Sequence, residues 1–592
     1  MNKVIVYATP VFLLLIGLEF AWGQRRGRNT YRLADAISSI SLGMLSQIAG
    51  VYLVLLKIGL YTLVHEAVAI APGTVFWQGW PGWITALLLY DFCYYWLHRA
   101  GHEVAVFWAA HAVHHQSEDY NLSTALRQTG SGLLLGWIFY LPMALLGVPP
   151  LLFAVVGLVD LLYQFWVHTE HVPKLGWFDR WFCSPSNHRV HHAVNDAYLD
   201  RNYGGILVVW DRLFGTFQEE RADEPCVYGT RQPLRSWDPL WANLVVYVEL
   251  ARDSWHTRRW ADKVMVWLRP AGWRPADVAA RFPRPAFDLA QVQRHDPPLS
   301  PAMQWFAGLQ FTALLGAVAA FLWYVDELAP LQAALAGAAV SGALWALGAC
   351  LQGRIAAAQC LVIQAAILST LGAAAGWTTL HEVFKPATML LAMAWVLLQL
   401  QAVGGPPKAA LWLLAALAAS CVGDVLLMMH NAFVPGLVAF LCAHLAYIAL
   451  LRSDAALLAH RRAVMGTLAL GALMYGVLVA GGLPAGLRGP VAAYVLVIAL
   501  MAAQALGRAL LEAEAARRRH ALGVALGALC FMLSDSMLAL DRFVTPLPQA
   551  RLWVLASYYA AQILIVQHML PALVEQSRAL HRPASAPDSP RG

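Results

Sequence analysis

Charged residues are scarce in this sequence: Asp, Glu, Lys and Arg make up 13% of its 592 residues, against 59% hydrophobic ones. That balance excludes an ordinary soluble domain and points to a chain that crosses a membrane many times. No strong excess of either sign is present. The net charge is +6 and spread along the chain, which excludes nucleic acid as an expected partner. The eight cysteines contain no Cys-x-x-Cys pair. Most fall in apolar runs and read as buried small hydrophobes, which excludes a zinc or disulfide framework. Short repeats of the solenoid or propeller kind are missing too. The first apolar stretch lacks a small-residue cleavage site and is followed by "QRRGR", so it reads as an uncleaved anchor.

Apolar runs are abundant. A span needs roughly 20 apolar residues. Candidates stand near 4–22, 37–70 (one long or two broken segments), 83–97, 133–148 and 151–167. After a long polar stretch come 304–324, 331–351, 356–376, 388–402, 409–429, 433–451, 463–481, 489–507, 521–540 and 552–574. Lys and Arg favour the cytoplasmic side of short loops. The segments "QRRGRNTYR", 172–300, "RSDAALLAHRR" and "RALLEAEAARRRH" can all be cytoplasmic in one alternating topology. The expected fold is an all-α multi-span bundle with a cytoplasmic histidine-rich domain, fused to a second helical membrane bundle. The expected location is a bacterial inner membrane.

The polar stretch 168–300 is rich in Trp, Arg and Pro. Within it, "WHTRRWADKVMVWLRPAGWRP" suits a segment lying at the bilayer surface, or a helix of a soluble subdomain. The seam between two modules is placed near 350, within about 30 residues, giving expected domains 1–350 and 351–575 and a disordered tail 576–592.

Half of the twenty histidines fall between 98 and 192. They form three clusters: "HRAGH" (His98, His102), "HAVHH" (His111, His114, His115) and "HRVHH" (His188, His191, His192). On a helix, residues three or four apart share a face, so each cluster presents its imidazoles in one direction. His168 stands at the expected exit of a span, with His171 just beyond. Imidazole is a neutral donor for iron, zinc and copper. Eight or nine ligands exceed what one ion can use, and two metal ions account for the number. His65, His256, His295 and His381, each alone, read as structural. Asn202, Tyr203 and Asp211 flank the last cluster and read as groups that orient imidazole N–H groups, or as turn and fold residues.

These boxes, with "SPSNHRVHHAVNDAYLDRNYGGILVVWDRLFGTFQEE" at 184–220, resemble the fatty acid hydroxylase/sterol desaturase superfamily of membrane di-iron oxygenases. The stretch "LLYQFWVHTEHVPKLGWFDRWFCSPSNHRVHH" resembles its alkylglycerol monooxygenase branch. The resemblance covers roughly 35–280. It implies two iron ions held by His98, His102, His111, His114, His115, His168, His188, His191 and His192, with O₂ as co-substrate. It also implies a tetrahydropterin or another external reductant, although no motif establishes a pterin site. Asn187 stands where that branch can carry a histidine, and His171 matches no position of the pattern. The chemistry suits the metal, because breaking an unactivated C–H bond is beyond side-chain acids and bases.

In the second half, a charge near mid-membrane costs at least roughly 2.5–3.5 kcal/mol, so polar residues in spans need a reason. Asp424 in "ASCVGDVLLMM" and Asp535 in "FMLSDSMLAL" stand out. Lys385, His444, Tyr447, Arg542 and Gln562 are further cases. Four have a structural alternative: an ion pair or a hydrogen-bonded structural carboxylate for Asp424 and Asp535, an interfacial anchor for Lys385, a satisfied core histidine for His444. The pattern KP…GD…AHxxY…SDSxLA resembles the lysoplasmalogenase family of vinyl-ether hydrolases over roughly 355–575. That resemblance implies Asp424 and Asp535 as a catalytic pair, one acting as acid and the other handling water. Lys385, His444 and Tyr447 match surrounding positions.

Together these readings describe a bifunctional enzyme acting on membrane ether lipids, with an electron donor that the sequence does not name. Two rivals stand beside it. One is a sterol, carotenoid or fatty acyl hydroxylase or desaturase with a non-catalytic C-terminal domain. The other is a lipid-binding or transport protein with a structural metal site.

Overall fold

The computed structural model describes residues 2–70 and 73–581. It is built from helices, with no strand among the described residues. Twelve of these helices are long and apolar enough to cross a membrane, and the protein is a multi-pass membrane protein. Helix ends follow local chemistry. Ser300 accepts from Met303 N at the start of helix Pro301–Tyr324, where Pro301 needs no N–H partner. Gly376 ends helix Ala357–Ala375 in a left-handed conformation, φ 79°.

The chain divides into two compact units, Met1–Glu327 with Leu347–Arg354, and Leu328–Ala346 with Ile355–Gly592. The division falls at 327/328, within about 30 residues of 350, and 347–354 returns to the first unit. Gly348 explains the return: a Cβ there would stand 2.4 Å from the Trp237 carbonyl oxygen. Gln352 Oε1 also accepts from Ser236 Oγ at 2.8 Å.

In the first unit, helices Lys3–Arg25, Leu33–Leu53 and Pro301–Glu327 have spanning length. The 37–70 segment is the broken form of the expectation: Leu33–Val54, a wide turn Leu55–Gly59, then Leu60–Val68. The expected spans at 133–148 and 151–167 are corrected to shorter helices, Gly132–Leu145 and Pro150–Trp166. Gly132, Gly136 and Pro142 interrupt the first, and Pro149 and Pro150 separate it from the second. Helix Trp80–Glu103 runs past the expected span 83–97 but is not among the twelve apolar enough to cross a membrane, and it carries the first histidine box on its last turns. The basic, aromatic stretch forms a short helix, Trp260–Leu268, with Trp255 and Trp260 each 82% exposed.

In the second unit, helices from Ala357–Ala375 to Ala550–Leu580 pack around a core that includes Trp395, Leu417, Tyr447, Phe531 and Tyr559. Helix Thr378–Gln401 starts well before the expected 388, so Lys385 lies inside it. The last helix reaches Leu580 because Ser577 is buried and donates to the carbonyls of Val403 and Gly405. Residues 576–580 are therefore helical, and the remainder of the expected tail, 582–592, lies outside the described residues.

Candidate functional site

The three boxes converge. Helix Trp80–Glu103 carries His98 and His102, and helix Ala105–His115 carries the second box. Helix Pro185–His191 carries the third, with His192 as its cap. His168 follows helix Pro150–Trp166. Among the described residues, His98, His102, His111, His115 and His191 form one group, and His114, His168, His188 and His192 a second. Within each group one ligand atom per residue lies within 4.8 Å of all the others. The groups touch, with the rings of His115 and His192 stacked 4.3 Å apart.

Helical spacing explains the partition. Residues at i and i+4 differ by about 40° around the axis, those at i and i+3 by about 60° the other way. His98/His102, His111/His115 and His188/His192 are i,i+4 pairs, and each pair serves one group. The middle histidine of each HxxHH, His114 or His191, crosses to the other group.

Five of the nine rings have their outward nitrogen fixed, whereas His188 Nδ1 is buried without a partner. Nδ1 donates to a backbone carbonyl in four rings: His98 to Tyr203 at 2.8 Å, His114 to Arg127 at 2.9 Å, His168 to Gln164 at 2.8 Å and His191 to Arg201 at 3.0 Å. His102 Nδ1 stands 3.3 Å from Asp200 Oδ1. This selects the tautomer whose Nε2 lone pair faces inward, the arrangement that metal-binding imidazoles use. Burial pushes the His114 imidazole down to about 4. Burial likewise holds His111, His115, His188, His191 and His192 well below the usual range. All are thereby neutral donors at pH 7.

The residues fit two metal ions. His102 Nε2 and His191 Nε2 are buried without a hydrogen-bond partner. Inward Nε2 atoms crowd at 3.0 Å between His98 and His111 and at 3.1 Å between His168 and His114. His168 and His114 both give their Nδ1 proton to a backbone carbonyl, so their Nε2 lone pairs face each other and repel, and a cation between them removes the repulsion. The all-nitrogen donor set is consistent with iron.

Flanking residues hold the boxes. Asp211 accepts from the backbone N–H groups of Tyr203 and Gly204 and from Thr216 Oγ1. It thereby fixes the carbonyl that orients His98. Gly204 is required there, since a Cβ would stand 2.3 Å from the Leu207 carbonyl oxygen. Asn202 spans the same loop, donating to the carbonyls of Asn187 and Gln218. Asn187 belongs to neither group, and its amide donates to Asp179 and Phe182 carbonyls. His171, His65, His256, His295 and His381 also stand outside both groups.

Three residues not singled out from the sequence matter as well. Asp91 accepts from Ile206 N, Leu207 N and Trp210 Nε1. Arg127 is fully buried, with Nε on the Val113 carbonyl. Arg189 pairs with Glu220 and donates to the Thr169 and Val172 carbonyls, tying the third box to the His168 loop. A polar residue inside an apolar helix, Asp91, was the available signal for the first. Arg189 lies within the box motif itself.

In the second unit, Asp424 and Asp535 line one cavity of about 440 Å³. Tyr558 donates to Asp424 at 2.7 Å, and Lys385 Nζ stands 3.6 Å from its other oxygen. Tyr494 donates to Asp535. His444 Nε2 is 3.0 Å from the Tyr494 hydroxyl and 3.7 Å from Asp535. Tyr447 and Gln562 bond to each other, and Gln562 reaches Ser420. Arg542 lines the cavity with the two carboxylates. Gly423, next to Asp424, lets the Phe440 ring approach, since a Cβ would meet it at 2.7 Å.

Comparison with known proteins agrees with this division. Residues 83–216, which carry every box, match the fatty acid hydroxylase family. An alkylglycerol monooxygenase from Danio rerio is 36% identical over 379 residues, 62% of this chain and 82% of the relative. The chain belongs to the alkylglycerol monooxygenase family. The enzyme of that name from Homo sapiens is 40% identical over 270 residues, 45% of this chain and 59% of the relative. Residues 380–569 match the YhhN family. A lysoplasmalogenase from Homo sapiens is 36% identical over 162 residues, 27% of this chain and 65% of the relative. No solved structure matches the chain. The protein is therefore a membrane enzyme that joins an alkylglycerol monooxygenase-family region to a lysoplasmalogenase-like one.

Proposed function

We propose that the two regions cleave the two kinds of ether lipid, alkyl and vinyl, each releasing a fatty aldehyde. The observation that carries the front-half reading is the division of nine imidazoles into touching groups of five and four. His98, His102, His111, His115 and His191 would hold one iron, and His114, His168, His188 and His192 the other. Bound iron with O₂ and an external two-electron reductant, a tetrahydropterin by family likeness, supplies the oxidation of a C–H bond next to the ether oxygen. One oxygen atom enters the lipid and the other leaves as water. The chain's own residues fix the ring tautomers through the Tyr203, Arg127, Gln164 and Arg201 carbonyls. They also bury the imidazoles so that protons do not compete for the nitrogens. The hydroxylated carbon is a hemiacetal, which collapses to fatty aldehyde and a glycerol derivative. We place the boxes on the cytoplasmic side of a bacterial inner membrane, because the short basic loops agree with that orientation.

A vinyl ether needs a proton and water instead of an oxidant. Asp535 protonates the alkene carbon β to oxygen. Asp424, with Lys385 as counter-ion, takes a proton from the water that adds to the α carbon. The resulting hemiacetal collapses to aldehyde and lysolipid headgroup. Tyr494 and Tyr558 orient the two carboxylates. Their common cavity supports this reading.

Two measurements test the proposal. With ¹⁸O₂ and an alkyl ether lipid, the trapped aldehyde should carry the label, and the purified chain should hold about two irons. Hydroxylation elsewhere on the lipid, without ether cleavage, contradicts the front-half reading.

A further inference from the structure

The vinyl-ether cavity carries two arginines that the chemistry above does not use. Arg542 and Arg551 both line the cavity that contains Asp424 and Asp535. Arg542 follows Asp535 by seven residues on helix Ala515–Phe543. Arg551 precedes Tyr558, the donor to Asp424, by seven on helix Ala550–Leu580. Seven residues are two turns, roughly 10 Å along the axis and nearly the same face. Arg542 therefore stands two turns above Asp535, and Arg551 two turns above the tyrosine that bonds Asp424, at the ends of helices that the loop 544–549 joins. The pair marks one rim of the cavity.

Neither arginine makes an ion pair among the described residues. The nearby Asp541 carboxylate accepts instead from Leu547 N at 2.8 Å. Arg542 lies over the Phe433 ring, 4.2 Å from its centroid. Stacking of this kind holds the guanidinium plane and leaves its N–H edge free, the edge that binds phosphate with two parallel hydrogen bonds. Interfacial arginines often only anchor a helix by extending to the membrane surface. Here both, though exposed, also line the cavity that holds the carboxylates. Deeper in, Leu470, Met474, Val491 and Ile498 offer an apolar wall.

We propose that Arg542 and Arg551 form a phosphate subsite for the headgroup of a single-chain vinyl-ether lipid. The subsite holds the phosphate at the rim and places the ether at the two aspartates, with the hydrocarbon chain along the apolar wall. This rests on the vinyl-ether reading. It adds which side chains of this chain hold the headgroup phosphate.

The test compares two lipids with the same alkenyl chain, a 1-alkenyl glycerophosphoethanolamine and a 1-alkenylglycerol, using the full-length protein in detergent. The native protein should favour the phosphate-bearing lipid in kcat/KM. Arg542→Gln and Arg551→Gln should each lower that preference about tenfold, mainly through KM, the size expected for a lost charge-assisted hydrogen bond. Arg542→Lys should recover part of it. An equal effect on both lipids, or none, overturns the subsite. Native protein that cleaves both lipids with the same KM overturns the subsite alone, whereas native protein that cleaves neither refutes the vinyl-ether reading itself. Inorganic phosphate should leave 1-alkenylglycerol cleavage unchanged. Inhibition by phosphate that vanishes in the double variant would assign the arginines to the free ion and overturn the headgroup assignment.

Discussion

Asp200 gives the sharpest handle on the metal centre. Four of the orienting partners are backbone carbonyls, which substitution cannot remove, but His102 Nδ1 is met by a side chain, Asp200 Oδ1, at 3.3 Å. Asp200 also sits in the left-handed region, φ 57°. Alanine there would add about 1–2 kcal/mol of backbone strain, so glycine is the cleaner replacement. Loss of an orienting partner typically lowers metal affinity ~10–100-fold. The Asp200 side chain is 47% exposed, so water offsets part of the loss and the lower end, ~10-fold, is expected. The assay is chelator titration of the iron-loaded protein, followed by metal content per chain. Asp200→Gly should release one iron at about tenfold lower chelator concentration and keep the other, since His102 belongs only to the five-histidine group. Unchanged release of both irons, or equal weakening of both, would refute the division into two groups.

Other expectations follow from named contacts. Asp211→Ala strands two backbone N–H groups and one hydroxyl that are now accepted by its carboxylate. At about 1–3 kcal/mol for each unsatisfied group, thermal unfolding should show a clear loss, and a Tm equal to that of the native protein contradicts the role. Tyr494→Phe or Tyr558→Phe should lower vinyl-ether kcat roughly tenfold by removing a hydrogen bond to a carboxylate, with alkyl-ether cleavage as the internal control. His114 is held at about 4, below its ordinary 6.5. The unfolded chain therefore takes up a proton that the native chain refuses, and the metal-stripped protein should lose stability as pH falls from 6.5 towards 4. A Tm that rises across that window would contradict the burial of these rings. Iron chelation should stop oxygen-dependent cleavage and leave vinyl-ether hydrolysis intact.

Much of this was legible in the sequence, for physical reasons. Long apolar runs give helices because a buried backbone in lipid must bond within its own segment. The boxes were legible because i,i+3 and i,i+4 spacing carries chemistry on one face. The assignment of individual histidines to two groups was not read, although HxxHH contains the clue in its first and last positions, which share a face that the middle one leaves. Hydropathy alone predicts spans at 133–148 and 151–167, where the helices are shorter, because it does not register what Gly132, Gly136, Pro142 and Pro150 do to the backbone. Asp424 and Asp535 stood out as charges in apolar helices. Tyr494 and Tyr558 did not, because a tyrosine in a membrane helix is ordinary until the fold brings its hydroxyl to a carboxylate.

The most direct test of two separate sites on one chain is a crossed assay. Native protein, His114→Ala and the double variant Asp424→Asn, Asp535→Asn are each given a mixture of alkyl and vinyl ether lipids, and aldehyde release from each lipid is read by mass spectrometry. His114→Ala should lose alkyl-ether cleavage alone, and the aspartate variant should lose vinyl-ether cleavage alone. Loss of vinyl-ether cleavage in His114→Ala, or its survival without both aspartates, would contradict the account.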